Sequence, residues 1–386
     1  MVPVIYNLRN LLERKATTLM TALGIGLTVT VLVTSLALVE GLRVLFAGSG
    51  DARQVLVLRK GTNAELSSWV VTDAYQIIRR LPGIAASGDG EPLISPEGFV
   101  IANLASSYSK DGMNVSVRGM LPIGLKMRTV QITQGAMFEP GRHQVVVGES
   151  IALRYPDAQP GKKILFGKSP WDVVGIFHAA DQAANSEVWC DFNQLAGDYE
   201  RPGGSSSLLI RLESPANFDA LKKSIEADQR LEVSVQREKE YYAGMTVSGA
   251  PLEYLGYAVA VIMAVGSAFA ATNTMYAAVA RRSREIGTLR ALGFSRAAIL
   301  FSFISESVCL ALLGGILGVL LALPLNGLAT GVGNFATFTD VTFQFRVSPM
   351  AMFWGLAFAA IIGALGGFLP AYGASKKDIV QAMRDA

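Results

Sequence analysis

Two histidines, two cysteines and a charged fraction of only 17 % set the first boundaries on this 386-residue chain. His143 and His178 stand apart from Cys190 and Cys309, so the Cys/His spacing that holds a structural or catalytic zinc does not occur. Two cysteines in separate regions exclude a disulfide framework. No G-x-x-x-x-G-K-[ST] run is found, so this sequence has no loop to cradle nucleotide phosphates. Asp181 to Glu187 and the other scattered carboxylates show no spacing that implies a catalytic set. They read as solvated surface, and a membrane-anchored enzyme has little behind it. A net charge of +3 gives no nucleic-acid-binding stripe.

What the chain does have is apolar length. Hydrophobic residues make up 51 % of it, and four charge-poor runs, Leu19 to Val39, Leu252 to Ala280, Ile299 to Leu323 and Met350 to Ala371, each reach the roughly 20 residues that span hydrocarbon as a helix. The first run is too long and starts too late for a signal-peptide core, and no small-x-small cleavage site follows Val39. Basic residues cluster beside the runs: Arg9, Arg14 and Lys15 before the first, Arg281, Arg282, Arg284, Arg290 and Arg296 between the second and third, Lys376, Lys377 and Arg384 after the fourth. By the positive-inside bias these segments face the cytoplasm and the long insertion between the first two runs faces outward. The expected organisation is a membrane protein of four transmembrane helices with an α+β extracytoplasmic domain inserted between spans one and two. Its boundaries are an amphipathic interfacial helix at 1–18, spans at 19–42, 251–280, 297–323 and 349–371, the α+β domain at 43–250, a cytoplasmic coupling helix at 281–296, a short outer loop at 324–348 and a cytoplasmic tail at 372–386.

Within the insertion, alternation predicts strands at Gln54–Arg59, Met113–Gly119, Gln144–Gly148, Trp171–Phe177, Leu208–Leu212 and Glu232–Gln236. Helices are expected at Thr72–Leu81 and Pro215–Asp228, with surface loops at Gly88–Gly98 and Pro202–Ser207. Glu238 to Met245 is helix-compatible and suits a stalk or an ordinary connector. Val341 to Val347 alternates like a half-buried strand, with Phe335 and Phe338 before it, as in a lid packed on the outer domain or membrane surface, or in part of an apolar substrate entrance.

The spans carry small residues at four-residue spacing, Ala260, Ala264 and Ala268 in the second, Gly314 and Gly318 in the third, Gly363 and Gly367 in the fourth. Such stripes let helix backbones approach closely, within the chain or across a dimer seam. Polar residues inside the spans are few, essentially Asn273 and Glu306, which argues against a conduit for ions.

Between the second and third spans, Arg284, Glu285, Ile286, Leu289, Arg290 and Leu292 fall on about two and a half helical turns. Gly293 is placed as a left-handed cap and Ser295 as the N-cap of the next helix. An apolar stripe of Ile286, Leu289 and Leu292 with charged flanks suits a partner's groove, or else a solvated loop.

The run Arg-Glu-Ile-Gly-Thr-Leu-Arg-Ala-Leu-Gly-Phe-Ser at 284–295, followed by Phe303-Ile304-Ser305-Glu306-Ser307, resembles the MacB/FtsX/Lol-type ABC transporter permeases. The resemblance extends to Asn7–Leu12 with Thr21–Gly26, to Gly135–Phe177, and to Leu369–Ala371 with Asp378–Arg384; Tyr372-Gly373 departs from the family's more usual basic pair. It implies a non-catalytic permease of the bacterial inner membrane, with both termini cytoplasmic. It further implies a second permease copy and a separate P-loop ATPase that carries the ATP and Mg, leaving no cofactor on this chain. Contact with the ATPase would run through Arg284, Glu285, Ile286, Leu289, Arg290, Leu292 and Gly293, and Leu289→Glu with Arg290→Glu would abolish it. Movement of the spans would reach the outer domain and drive efflux with a periplasmic adaptor, or lipid or lipoprotein handling. The alternative is an FtsX-like signalling protein that regulates a cell-wall enzyme, for which the outer domain is large.

Overall fold

The computed structural model describes residues 15–47, 49–106, 112–179, 183–247, 250–333 and 340–376. They fall into two units. One, helical, comprises the chain up to 41 with 250–328 and 344 onward; the other, α+β, comprises 42–249 and 329–343. The expected interfacial helix at 1–18 lies almost wholly outside the described residues, as do Phe335, Phe338 and the last ten residues.

The helical unit holds four helices long and apolar enough to cross a membrane, Thr18–Leu45, Tyr254–Arg281, Arg296–Leu325 and Pro349–Lys376. Lipid gives apolar helices no hydrophobic reason to associate, so close backbone approach and interhelical hydrogen bonds must hold them. Glycine supplies the approach. A Cβ on Gly314 would lie 2.6 Å from the Ala22 carbonyl oxygen of the first span, and one on Gly363 would lie 2.5 Å from Ala311 Cβ of the third. Gly318 is pressed likewise on Gly26, and Gly367 on Ser307. The stripes on the third and fourth spans are thus consumed inside one chain. Hydroxyls supply the bonds: Thr28 and Ser267 share one of 2.6 Å between spans one and two, Ser307 donates to the Gly363 carbonyl at 2.7 Å, and Thr272 to the Gly366 carbonyl at 2.9 Å. The second span is the least covered, with 17 % of its most apolar window buried against 44 % for the first. Ala260 is buried and Ala264 and Ala268 are half-buried, while Ile262, Phe269 and Tyr276 are exposed.

The α+β unit is built on strands β1 (Gln54–Arg59), β2 (Val70–Val71), β3 (Ile94–Leu104), β4 (Met113–Met120), β5 (Val130–Gly135), β6 (Gln144–Gly148), β7 (Lys163–Phe166), β8 (Ser169–Ala179), β9 (Glu187–Asp191), β10 (Gly204–Ser205), β11 (Ser207–Arg211) and β12 (Val233–Arg237). Ten form one sheet in the order β12-β1-β11-β3-β4-β9-β6-β8-β5, with β7 paired to β8. Only β4–β9 and β6–β8 run parallel. Helices Thr72–Ile78 and Phe218–Ala227 cover the β1, β11 and β12 half, burying Val55, Val57, Ile78, Ile210, Leu221 and Ile225 together. In the other half, period-two alternation sends Val145 and Val147 into one core with Trp171 and Val188, and Val146 into a second with Phe177 and Trp189.

Three expectations give way. Within the loop expected at Pro202–Ser207, Gly204–Ser205 pairs with Val70–Val71 as β10 and Ser207 opens β11. The loop expected at Gly88–Gly98 gives way at Ile94 to β3, an eleven-residue strand whose Ser-Pro-Glu-Gly start hides its alternation. The Asp181–Glu187 stretch is not solvated surface throughout: Glu187 opens the fully buried strand β9, which was not anticipated. The segment after the third span forms paired strands Ala329–Gly333 and Asp340–Gln344. Its Phe343 is buried, and Thr342 accepts from Arg154 at 2.9 Å and donates its amide to Ser186 at 3.2 Å, contacts that make it part of the α+β unit.

Candidate functional sites: a capped surface helix and a buried charge hub

The segment between the second and third spans folds as a helix over Ser283–Ala291. Arg282, at φ −103° and ψ 16°, leaves helical geometry and breaks it from the second span. At the other end Gly293 takes φ +91°, its amide bonds the Arg290 carbonyl at 3.1 Å, and the Phe294 amide bonds Leu289 at 3.1 Å. These two bonds make a Schellman cap, and the left-handed residue it requires is glycine for lack of a Cβ. Ser295 then accepts from the Ala298 amide at 3.2 Å and starts the third span.

Burial divides the expected contact residues. Ile286 is 2 % exposed and sits among Met275, Val279, Ile299, Phe303, Ala371 and Ala374, so it seats the helix on its own chain and is not available to a partner's groove. Leu289 and Arg290 are half-buried; Arg284, Glu285, Gly293 and Leu292, the last 72 % exposed, form the outward face. The apolar stripe inferred from spacing is therefore split between an inward anchor and an outward tip. Glu306 is buried and accepts from Arg282 Nη1 at 2.7 Å, with Glu285 3.9 Å from Arg282 Nε. Asn273 lies on an exposed surface of its helix. Nothing local in the sequence singles out Arg282 among the basic residues of this segment. The signal for it was Glu306 itself, since a carboxylate inside a span needs a partner.

A second constellation lies where the two halves of the sheet meet. Arg118 on β4 donates to Glu65 (2.7 and 2.8 Å), Glu97 (2.7 Å) and Glu187 (2.8 and 2.9 Å), all four side chains being buried. Strand register explains it: Glu97 on β3 and Glu187 on β9 flank Arg118 from both sides of β4. Ser207 and Trp189 donate to Glu65 and Glu187, and Arg128 to Glu97 at 2.8 Å. Burial alone would push the Glu65 carboxyl upward, but the Arg118 charge and hydrogen bonds outweigh it and hold it below the usual carboxylate range. Burial would likewise weaken the Arg118 cation, yet Glu187, Glu65 and Glu97 drive its pKa well above the ordinary value. Burial, then the Glu65 charge, raises the Tyr241 hydroxyl. Every oxygen here faces a donor of the same chain, so the hub is a joint within the fold and offers nothing to a ligand.

A cavity of about 730 Å³ opens between helix Thr72–Ile78 and helix Phe192–Asp198, walled by Tyr75, Gln76, Phe192, Asn193 and Arg201. No group of three or more His, Cys, Asp or Glu with metal-binding geometry occurs among the described residues. Cys190 and Cys309 are both free.

The MacB-like periplasmic core domain family matches residues 18–228, and the FtsX-like permease C-terminal family matches 257–379. Among curated relatives, the macrolide export ATP-binding/permease protein MacB of a Shewanella species is 23 % identical over 95 % of this chain and 58 % of that protein. The MacB of Chromobacterium violaceum is 26 % identical over the same shares. The chain thus spans somewhat over half the length of these relatives. The periplasmic region of MacB from Actinobacillus actinomycetemcomitans aligns with 51 % of this chain and 94 % of its own at 11 % identity, with a TM-score of 0.38.

Proposed function

Because the chain belongs to the MacB/FtsX-type family of ABC transporter permeases, we propose that it is the membrane subunit through which a P-loop ATPase on a separate chain drives movement of the extracytoplasmic domain. The observation that carries this reading is the capped helix Ser283–Ala291, anchored inward by Ile286 and presenting Arg284, Glu285 and Leu292 outward. A short helix fixed at both ends and apolar at its tip is a compact lever for a soluble partner. Basic flanks at Arg281, Arg284 and Arg296 suit the cytoplasmic side of a bacterial inner membrane. A second permease copy would cover the bare apolar face of the second span.

The work done is export or extraction of a substrate from the periplasmic side or the outer leaflet, with an adaptor protein in the efflux case. An α+β domain of about 200 residues with an open cavity supports handling of a substrate over relay of a signal. Affinity purification of the chain from its native membrane in mild detergent, with mass spectrometry of what accompanies it, tests the reading. A co-purified P-loop ATPase is expected; its absence refutes the proposal.

A further inference from the structure

Glu306 lies ten residues into the helix Arg296–Ala322, about 15 Å along its axis. A carboxylate at that depth in an apolar helix is costly unless a cation reaches it. The cation is Arg282, which comes from the one residue where the second span stops and the surface helix begins. Both side chains are about 5 % exposed. Arg282 could have extended to solvent beside its exposed neighbours Arg281 and Arg284; instead it turns inward to the third span. Ile286, one turn on, rests against Ile299 and Phe303 of that span.

We propose that the Arg282–Glu306 pair is a pin: it locks the surface helix to the third span, so that a load on the helix moves spans two and three together instead of bending the chain at Arg282. Arg282 and Glu306 are positioning residues and take no part in the outward face. An isolated helix of nine residues is marginal in water, so its order depends on such anchors. The pin is distinct from mere neutralisation. An apolar pair of similar volume would remove the buried charges as well as the ion pair does, and such replacements are often tolerated by folds. It would not tie the break to one point on the third span.

The test has two arms, of which only the second rests on the function proposed above. In the first, the full chain alone in lipid nanodiscs is followed by hydrogen exchange. Glu306→Gln and the apolar pair Arg282→Met with Glu306→Leu should each speed exchange at amides 283–291 by about tenfold or more, with the fourth span unchanged. The swapped pair Arg282→Glu with Glu306→Arg should restore most of the protection. Unchanged exchange in the apolar pair would overturn the pin and leave only neutralisation. In the second arm, the complex with its co-purifying ATPase is compared with and without a non-hydrolysable ATP analogue. The wild type should show a nucleotide-dependent exchange difference in the α+β unit. The apolar pair should keep the ATPase bound yet lose that difference, whereas its full retention would overturn the inference. A wild-type chain that binds no ATPase would sink the function proposed above, while the first arm still decides whether the pin exists.

Discussion

The two units bury charge in opposite ways. The α+β unit gathers Arg118 and Arg128 against Glu65, Glu97 and Glu187 in a many-sided hub, whereas in the helical unit a buried Arg282 meets a buried Glu306 from the next span. They also differ in what holds them. The sheet unit rests on three apolar cores rich in Val, Ile and aromatic side chains, and the helical unit on glycine contacts and hydroxyl bonds. Water explains the contrast. Where apolar burial drives folding, strands can carry a costly hub as a register device. In lipid that drive is missing, so shape and sparse polar bonds must serve. A hub with several partners is hard to dislodge, while the Arg282–Glu306 pair is a point where load can pass.

Arg118→Ala should be the most damaging change, leaving three carboxylates buried against little positive charge. A loss of about 3–5 kcal/mol is expected, read as a collapse of the thermal transition followed by Trp171 and Trp189 fluorescence. Arg118→Met should not rescue it, because the carboxylates remain. Next is Gly314→Leu, whose side chain must displace the Ala22 backbone. Overpacking of about 1–3 kcal/mol should lower the yield of folded protein in detergent and leave the α+β transition unmoved.

Acid should act on the hub before the spans. The Glu65 carboxyl is depressed in the folded state, so its stabilisation is present above the unfolded value of about 4.3 and is lost as pH falls through the folded one. The α+β transition should therefore drop as pH is lowered below about 4, and Glu65→Gln should flatten that part of the profile. The smallest effect on stability belongs to the exposed Leu292→Ala, within about 0.5 kcal/mol, although it should weaken partner binding.

Much of this was legible in advance, for physical reasons that also mark the gaps. Span length and strand alternation are written locally, so β1 and β6 have the expected ends, Gln54–Arg59 and Gln144–Gly148. Gly293 and Ser295 announced their caps by residue type. Long-range pairing leaves no local trace. Nothing near Arg118 in sequence points to Glu65 or Glu187, 53 and 69 residues away. Ile286 looked identical in kind to Leu292, and only the packing of the second, third and fourth spans separates an anchor from a tip. β3 was hidden because its proline and glycine read as loop although their neighbours pair across the sheet.

Engagement of an ATPase by the outward face of the Ser283–Ala291 helix is read by quantitative co-purification with the double variant Arg284→Glu, Leu292→Glu. Both positions are exposed, so membrane insertion and the α+β transition should match the wild type. ATPase recovery should fall at least about tenfold, the equivalent of roughly 1.4 kcal/mol. Wild-type recovery by this double variant would contradict it.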